Sequence, residues 1–276
     1  MLHIIEHSLL DSLKLVPFLF LTYLAMEYLE HKTGAKVQKI IRKAGKLGPI
    51  AGGILGAAPQ CGFSAAASNL YAGRVITLGT LLAVFLSTSD EMLPILISEK
   101  VAPELILKIL LLKIAIGMAA GFVVDLIVGR KREEDHPHIH EMCEQENCHC
   151  EEGILRSAVN HTLKITFFIL LVTFVLNIIL HFGGEDVMAG VLRDRPIIGP
   201  MVAGVVGLIP NCASSVVITQ LYLEGAMSFG TMMAGLLVGA GVGVLVLCRV
   251  NHDKRENLKV IGLLYVIGVV AGMILG

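Results

Sequence analysis

The stretch GAAPQCGFSAA, Gly56 to Ala66, puts a proline, an amide and a thiol in the middle of an apolar region. Proline ends a helix, because it lacks an N–H and pushes the preceding residue out of the helical region. Polar side chains are costly in hydrocarbon, so both at one point call for a reason. That reason begins with a second copy, GLIPNCASSVV, Gly207 to Val217. A shift of 151 residues superimposes Gly48, Pro49, Gly53, Gly56, Pro59, Cys61 and Ser64 on Gly199, Pro200, Gly204, Gly207, Pro210, Cys212 and Ser215. The register runs on without a gap: Leu70-Tyr71 falls on Leu221-Tyr222, Gly79-Thr80 on Gly230-Thr231, and Gly117 and Ala120-Gly121 on Gly268 and Ala271-Gly272. Chance likeness between apolar runs does not carry Gly, Pro, Cys and Tyr along together, so the chain reads as two copies of one unit.

The 276 residues are 55% hydrophobic and only 16% charged, with mean hydropathy +0.76. An ordinary soluble domain is nearer a quarter charged, and these apolar runs are too long and too numerous for one buried core. An integral membrane protein follows, and an unusually apolar soluble α/β enzyme is set aside. No cleavable signal peptide is expected, since Met1 to His7 is polar without being basic. Nothing resembles a GxxxxGK[ST] loop, so this chain is not expected to use ATP. Of six cysteines, Cys61, Cys212 and Cys248 lie in apolar segments, while Cys143, Cys148 and Cys150 share one polar stretch. That is not a secreted disulfide framework.

The predicted fold is an all-α integral membrane protein of two inverted-topology repeats with five segments each. Residues 1–128 form the first repeat, 129–156 a His/Cys/Glu-rich linker, and 157–276 the second. Helices are predicted near 8–30, 47–58, 61–72, 75–97 and 103–128, then near 157–182, 198–209, 212–223, 228–248 and 258–276. The pair flanking each Pro-x-Cys is short: about 12 residues at 1.5 Å rise cover roughly 18 Å, against ~30 Å of hydrocarbon. Such pairs are re-entrant hairpins or tilted spans, and either returns the chain to its starting side. Each unit then crosses an odd number of times, so its tandem twin inserts upside down. Charge agrees. The loop after the first helix of unit one carries Lys32, Lys36, Lys39, Arg42, Lys43 and Lys46, whereas its twin sets Arg193 and Arg195 against Glu185, Asp186 and Asp194. After the fourth helix the bias reverses, with Lys100 alone in unit one and Arg249, Lys254, Arg255 and Lys259 in unit two. Positive loops face the cytoplasm, which predicts both termini outside and the linker, with Arg130, Lys131 and Arg132, inside.

Inverted repeats are the plan of many secondary transporters, in which broken helices meet near the midplane and aim their ends at the substrate. Helices starting near Gly62 and Ala213 would offer free N–H groups to an anion or carboxylate. Gln60 and Asn211 add amides, Ser64 and Ser215 hydroxyls, and Cys61 and Cys212 thiols, making these six the candidate substrate-binding residues. Packing kinks with cysteines as small apolar fillers are the alternative.

The second feature is STSDEMLP, Ser87 to Pro94, where Asp90 and Glu91 stand as adjacent carboxylates in an apolar run. Unit two has Gly241 and Val242 there, so the acids suit a coupling-ion or cation site served by one half. A helix that ends early, leaving the pair at the outer interface, is the plainer reading. Lys108, Lys113 and Lys259 are candidate partners for the acids, with those nearest helix ends reaching the interface instead.

The third feature is the linker DHPHIHEMCEQENCHCEE, Asp135 to Glu152. Its His136, His138, His140, Cys143, Cys148, His149 and Cys150 offer ligands to Zn²⁺, Cu(I) or a similar thiophilic ion. A disordered acidic loop that binds metal incidentally is the alternative. No cofactor is expected to be required; a metal ion bound at the linker is compatible with these ligands. Gly117, Ala120, Gly121 and their twins suit close helix packing.

The stretch PQCGFSAAASNLYAGRVITLGTLLAVFLSTSDEMLP, the second GLIPNCASS and the His/Cys linker resemble the family of ten-transmembrane heavy-metal exporters, whose bacterial members are labelled arsenic efflux proteins or manganese transporters. The likeness covers the whole chain. It implies export of a metal or metalloid across a prokaryotic inner (plasma) membrane. The expected partners are the lipid bilayer and a metal or metalloid ion or small anion, with no nucleic acid; a homo-oligomer is compatible. Three rivals stand beside the exporter. One is a carrier of an organic anion or lipid phosphate group. The second is a membrane-embedded enzyme, for which the repeat core shows no histidine base. The third is a metal-sensing membrane protein.

Overall fold

The computed structural model describes residues 16–17, 20–21, 24, 47–58, 61–89, 92–128, 155, 159, 162–163, 166–167, 170–171, 174, 197–210 and 212–276. Everything described in a regular element is helical: α1 (Gly48–Gly56), α2 (Cys61–Ala72), α3 (Leu78–Ser87), α4 (Met92–Ser98), α5 (Pro103–Ile127), α6 (Ile198–Gly207), α7 (Cys212–Leu223), α8 (Phe229–Val238), α9 (Val242–Val250) and α10 (Lys254–Leu275). Among the described residues four runs are long and apolar enough to cross a bilayer: Leu78–Ser98, Pro103–Ile127, Phe229–Val250 and Lys254–Leu275. The chain is a multi-pass membrane protein. The predicted first helix of each unit, near 8–30 and 157–182, falls largely outside the described residues.

Local chemistry sets the starts. Thr77 caps α3 through Oγ1, which accepts from the Thr80 N–H at 3.1 Å, and Ser228 does the same for α8 from Thr231 at 3.3 Å. Pro49 and Pro103 sit in first turns, where the missing N–H costs no helical bond. The last helix begins at Lys254, one turn before the predicted 258, because Asp253 accepts from the N–H groups of Arg255 and Glu256.

The larger departure lies in the fourth segment of each unit. Single helices over 75–97 and 228–248 were expected, and each is two helices with a gap. In the first unit Ser87 Oγ bonds back to the carbonyls of Ala83 and Val84, and Thr88 Oγ1 to that of Val84. Such back-bonding competes with the helix. Thr88 then leaves the helical region at ψ 127°, and Pro94, in the first turn of α4, has no N–H to offer upstream. The second unit breaks by other means: Gly239 turns extended and Gly241 takes φ 53°, a conformation that favours glycine.

Every residue of α3 from Gly79 to Ser87 and of α8 from Gly230 to Val238 is buried, so these two form the centre. Around them α1 and α5 pack on α3, and α6 and α10 on α8. The outer faces of α5 and α10 expose Leu107, Leu111, Leu126, Leu258, Val266 and Ile274, as lipid contact demands. Small residues permit the close approaches. A Cβ on Gly121 would lie 2.5 Å from the Gly79 carbonyl oxygen, and one on Gly272 would lie 2.7 Å from that of Gly230. Two further pairs join the two halves of the sequence: α2 lies along α9, and α7 packs on α4.

Candidate transport site

The α2–α9 pair is built from two contacts. Ser68, two turns into α2, donates through Oγ to the Gly243 carbonyl in the first turn of α9 at 2.7 Å and to the Ser64 carbonyl in the first turn of α2 at 2.9 Å. A Cβ on Gly243 would come within 2.8 Å of Ser64 Cβ, so only glycine admits the neighbouring helix there. Near their ends, Tyr71 and Arg74 bond Glu256, just past α9. Start meets start and end meets end, so α2 and α9 run parallel. Their N-terminal poles therefore lie side by side next to the gaps that precede Cys61 and Val242.

Other contacts draw the remaining gaps to the same place. Ser89 Oγ, in the gap after α3, donates to the Ala57 carbonyl at the end of α1 at 2.7 Å. The segment that leads to Pro59 and Cys61 is thereby tied to the one that leads to Asp90 and Glu91. In the other half a Cβ on Gly207, at the end of α6, would lie 3.3 Å from the Gly239 amide nitrogen. The end of α6 thus abuts the gap between α8 and α9.

A cation also enters this region. Lys113, near the middle of α5, is 1% exposed, and its ammonium donates to the Leu236 carbonyl at 2.5 Å. Leu236 stands in the last turn of α8, where the break frees carbonyls that an unbroken helix would use. An ammonium suits that negative pole. Its twin at the 151-residue shift is Leu264, also buried, so the charge is peculiar to one half. Lys108, by contrast, lies over the Phe229 ring at 5.1 Å.

Of the predicted site residues, Ser64 is fully buried on α2 beside Gly243. Ser215 is half-buried on α7, and its carbonyl accepts from Thr219 Oγ1 at 2.7 Å. Cys61 and Cys212 are the first residues of α2 and α7. Gln60, Asn211, Asp90, Glu91 and the linker residues His136, His138, His140, Cys143, Cys148, His149 and Cys150 lie outside the described residues. Among the described residues no group of three His, Cys, Asp or Glu side chains is placed to hold a metal. The sequence reading missed Ser68, Ser89 and the buried state of Lys113. Only the asymmetry between Lys113 and Leu264 could have singled out the last.

The helical, apolar bundle with its interrupted segments meets a comparison of the whole chain. A family described as "Putative, 10TM heavy-metal exporter" matches residues 2–186, 127–235 and 181–276. The chain belongs to that family. No curated protein and no solved structure matches it significantly. Membership places it among membrane transport proteins for heavy metals, as the resemblance of its motifs implied.

Proposed function

We propose that this member of the exporter family is a secondary active transporter that moves a metal or metalloid species out of the cell by alternating access around the paired Pro-x-Cys breaks. The observation that carries the reading is the convergence of helix gaps inside the bundle, tied by Ser89 to Ala57 and by Ser68 to Gly243. Discontinuous helices that meet within a bundle are how transporters place polar backbone at membrane depth. In this reading Gln60, Cys61, Ser64, Asn211, Cys212 and Ser215 line the substrate site, Asp90 and Glu91 take the coupling ion, and the linker captures metal on the cytoplasmic side. The five-plus-five inverted arrangement is part of the proposal, supported by the contact of Arg74 with Glu256 across the halves.

Flux into proteoliposomes tests it, with As(III), Mn²⁺ and Zn²⁺ as substrates. The Cys61→Ala/Cys212→Ala double variant is expected to lose at least tenfold in rate for a thiophilic substrate; equal flux by both proteins removes the thiols from the mechanism.

One observation favours a second reading. The α2 and α9 N-termini side by side make a positive pole, which suits an anion. A carrier of an organic anion or lipid phosphate group would use it without the linker. Deletion of residues 133–152 then leaves transport intact, whereas metal export with linker capture slows.

A further inference from the structure

We propose that Tyr71, Arg74, Asn251 and Glu256 form a latch that closes one face of the molecule and must open for the central breaks to reach that face. The latch rests on the proposed path between the halves and adds to it the gate on one side. Four hydrogen bonds converge on a single carboxylate. Arg74 Nη1 and Nη2 reach Glu256 Oε1 and Oε2 at 2.6 and 2.8 Å, Tyr71 Oη reaches Oε1 at 2.5 Å, and Asn251 Nδ2 reaches Oε2 at 3.1 Å. Asn251 is itself held, since its Nδ2 donates to Asn257 Oδ1 and its carbonyl accepts from Asn257 Nδ2, both at 2.8 Å. The guanidinium also lies over the Tyr71 ring, 5.8 Å from its centroid.

Three features set this cluster apart from an ordinary surface ion pair. It is bidentate and partly desolvated, with side-chain exposures of 25% and 21% for Arg74 and Glu256, where such pairs hold best. Its residues come from opposite halves of the chain, 182 positions apart. Arg74 also accepts a left-handed backbone, φ 59°, at the place where its twin is Gly225 with φ 71°. A glycine there costs nothing, so the arginine holds a strained turn for the sake of its side chain.

The opposite turn carries no such device. At the 151-residue shift Tyr71, Arg74, Asn251 and Glu256 become Tyr222, Gly225, Lys100 and Leu105, which cannot make the ion pair. Tyr222 there meets Phe229 edge-on at 6.1 Å, and Lys108 covers the same ring. One face is thus closed by charge and the other by aromatic contact. The latched face is the one that bears Arg249, Lys254 and Arg255. Because α2 and α9 run parallel from the central gaps to this face, parting their far ends opens a way to the gap before Cys61.

The test needs no known substrate. In a chain whose only thiol is Cys61, a membrane-impermeant methanethiosulfonate reagent is applied from each face of oriented vesicles. With the latch intact, reaction from the basic face is expected to be slow. Glu256→Gln should accelerate it ~100-fold and the milder Tyr71→Phe about tenfold, since a charged network and one hydrogen bond are lost respectively. Rates from the basic face unmoved by either variant, with Cys61 reacting from the other face, overturn the latch alone. A Cys61 silent from both faces in every variant overturns the latch and the central path together. If Glu256→Gln does not fold, Tyr71→Phe, which keeps the ring, still decides.

Discussion

Lys113 shows what a single residue reveals in three dimensions. Burying an ammonium at membrane depth costs several kcal/mol before compensation, yet the same position in the second half holds Leu264 with equal burial. An aliphatic side chain fits the corresponding place in the second half, so a role for the charge beyond packing and capping can be tested directly. Lys113→Met is expected to fold, with a melting temperature in detergent within a few degrees of the unaltered protein, and to lose at least tenfold in transport. A melt lowered in step with the loss of flux would make Lys113 a structural cap on α8. In the sequence this lysine was one of three cations near the acids, because hydropathy registers a charge in an apolar run and not which way it faces. Ser64 was legible as a candidate, since repetition marked it. Ser68 was not: its hydrogen bond to Gly243 joins residues far apart in the chain.

The elements divide in the same way. Helices α1 and α6 end three residues short of Pro59 and Pro210, and repeated glycines lie along the tight α3–α5 and α8–α10 seams. The gaps within the fourth segments stayed hidden, because serine, threonine and glycine are only mild helix breakers. In the first unit it takes three back-bonds acting together to end α3. The Asp253 cap with Glu256 three positions on is a readable helix start, although the apolar run begins only beyond it. The seams give a direct prediction. Gly121→Val drives a side chain into the Gly79 carbonyl and Pro49, and should destabilise by about 1–3 kcal/mol, as overpacking does. Gly262 on α10 has open space around it, so Gly262→Ala should be neutral or slightly stabilising. Thermal unfolding of both in one detergent checks the contrast; equal shifts would mean that helix propensity, not the seam, sets the outcome.

For the whole molecule, the Arg74–Glu256 contact bears on the proposed inverted insertion of the two halves. With Leu78–Ser98 and Phe229–Val250 taken as crossings, for which both are long and apolar enough, Arg74 and Lys100 lie on opposite faces, and so do Glu224 and His252. If both halves pointed the same way, Arg74 would share a face with its twin Gly225 and stand a membrane's thickness from Glu256. A pair at 2.6 Å supports the opposite arrangement, which the lysine and arginine distribution supports independently. Lys100, Glu224 and His252 are all exposed, so single cysteines there, in a chain lacking its native ones, report the insertion. With inverted halves, Lys100→Cys and Glu224→Cys react with an impermeant maleimide from one face and His252→Cys from the other. With parallel halves, Lys100→Cys and His252→Cys react together and Glu224→Cys stands alone. The second pattern would leave the gaps at Cys61 and Cys212 unrelated by a two-fold axis, and with that the symmetric basis of alternating access would be gone.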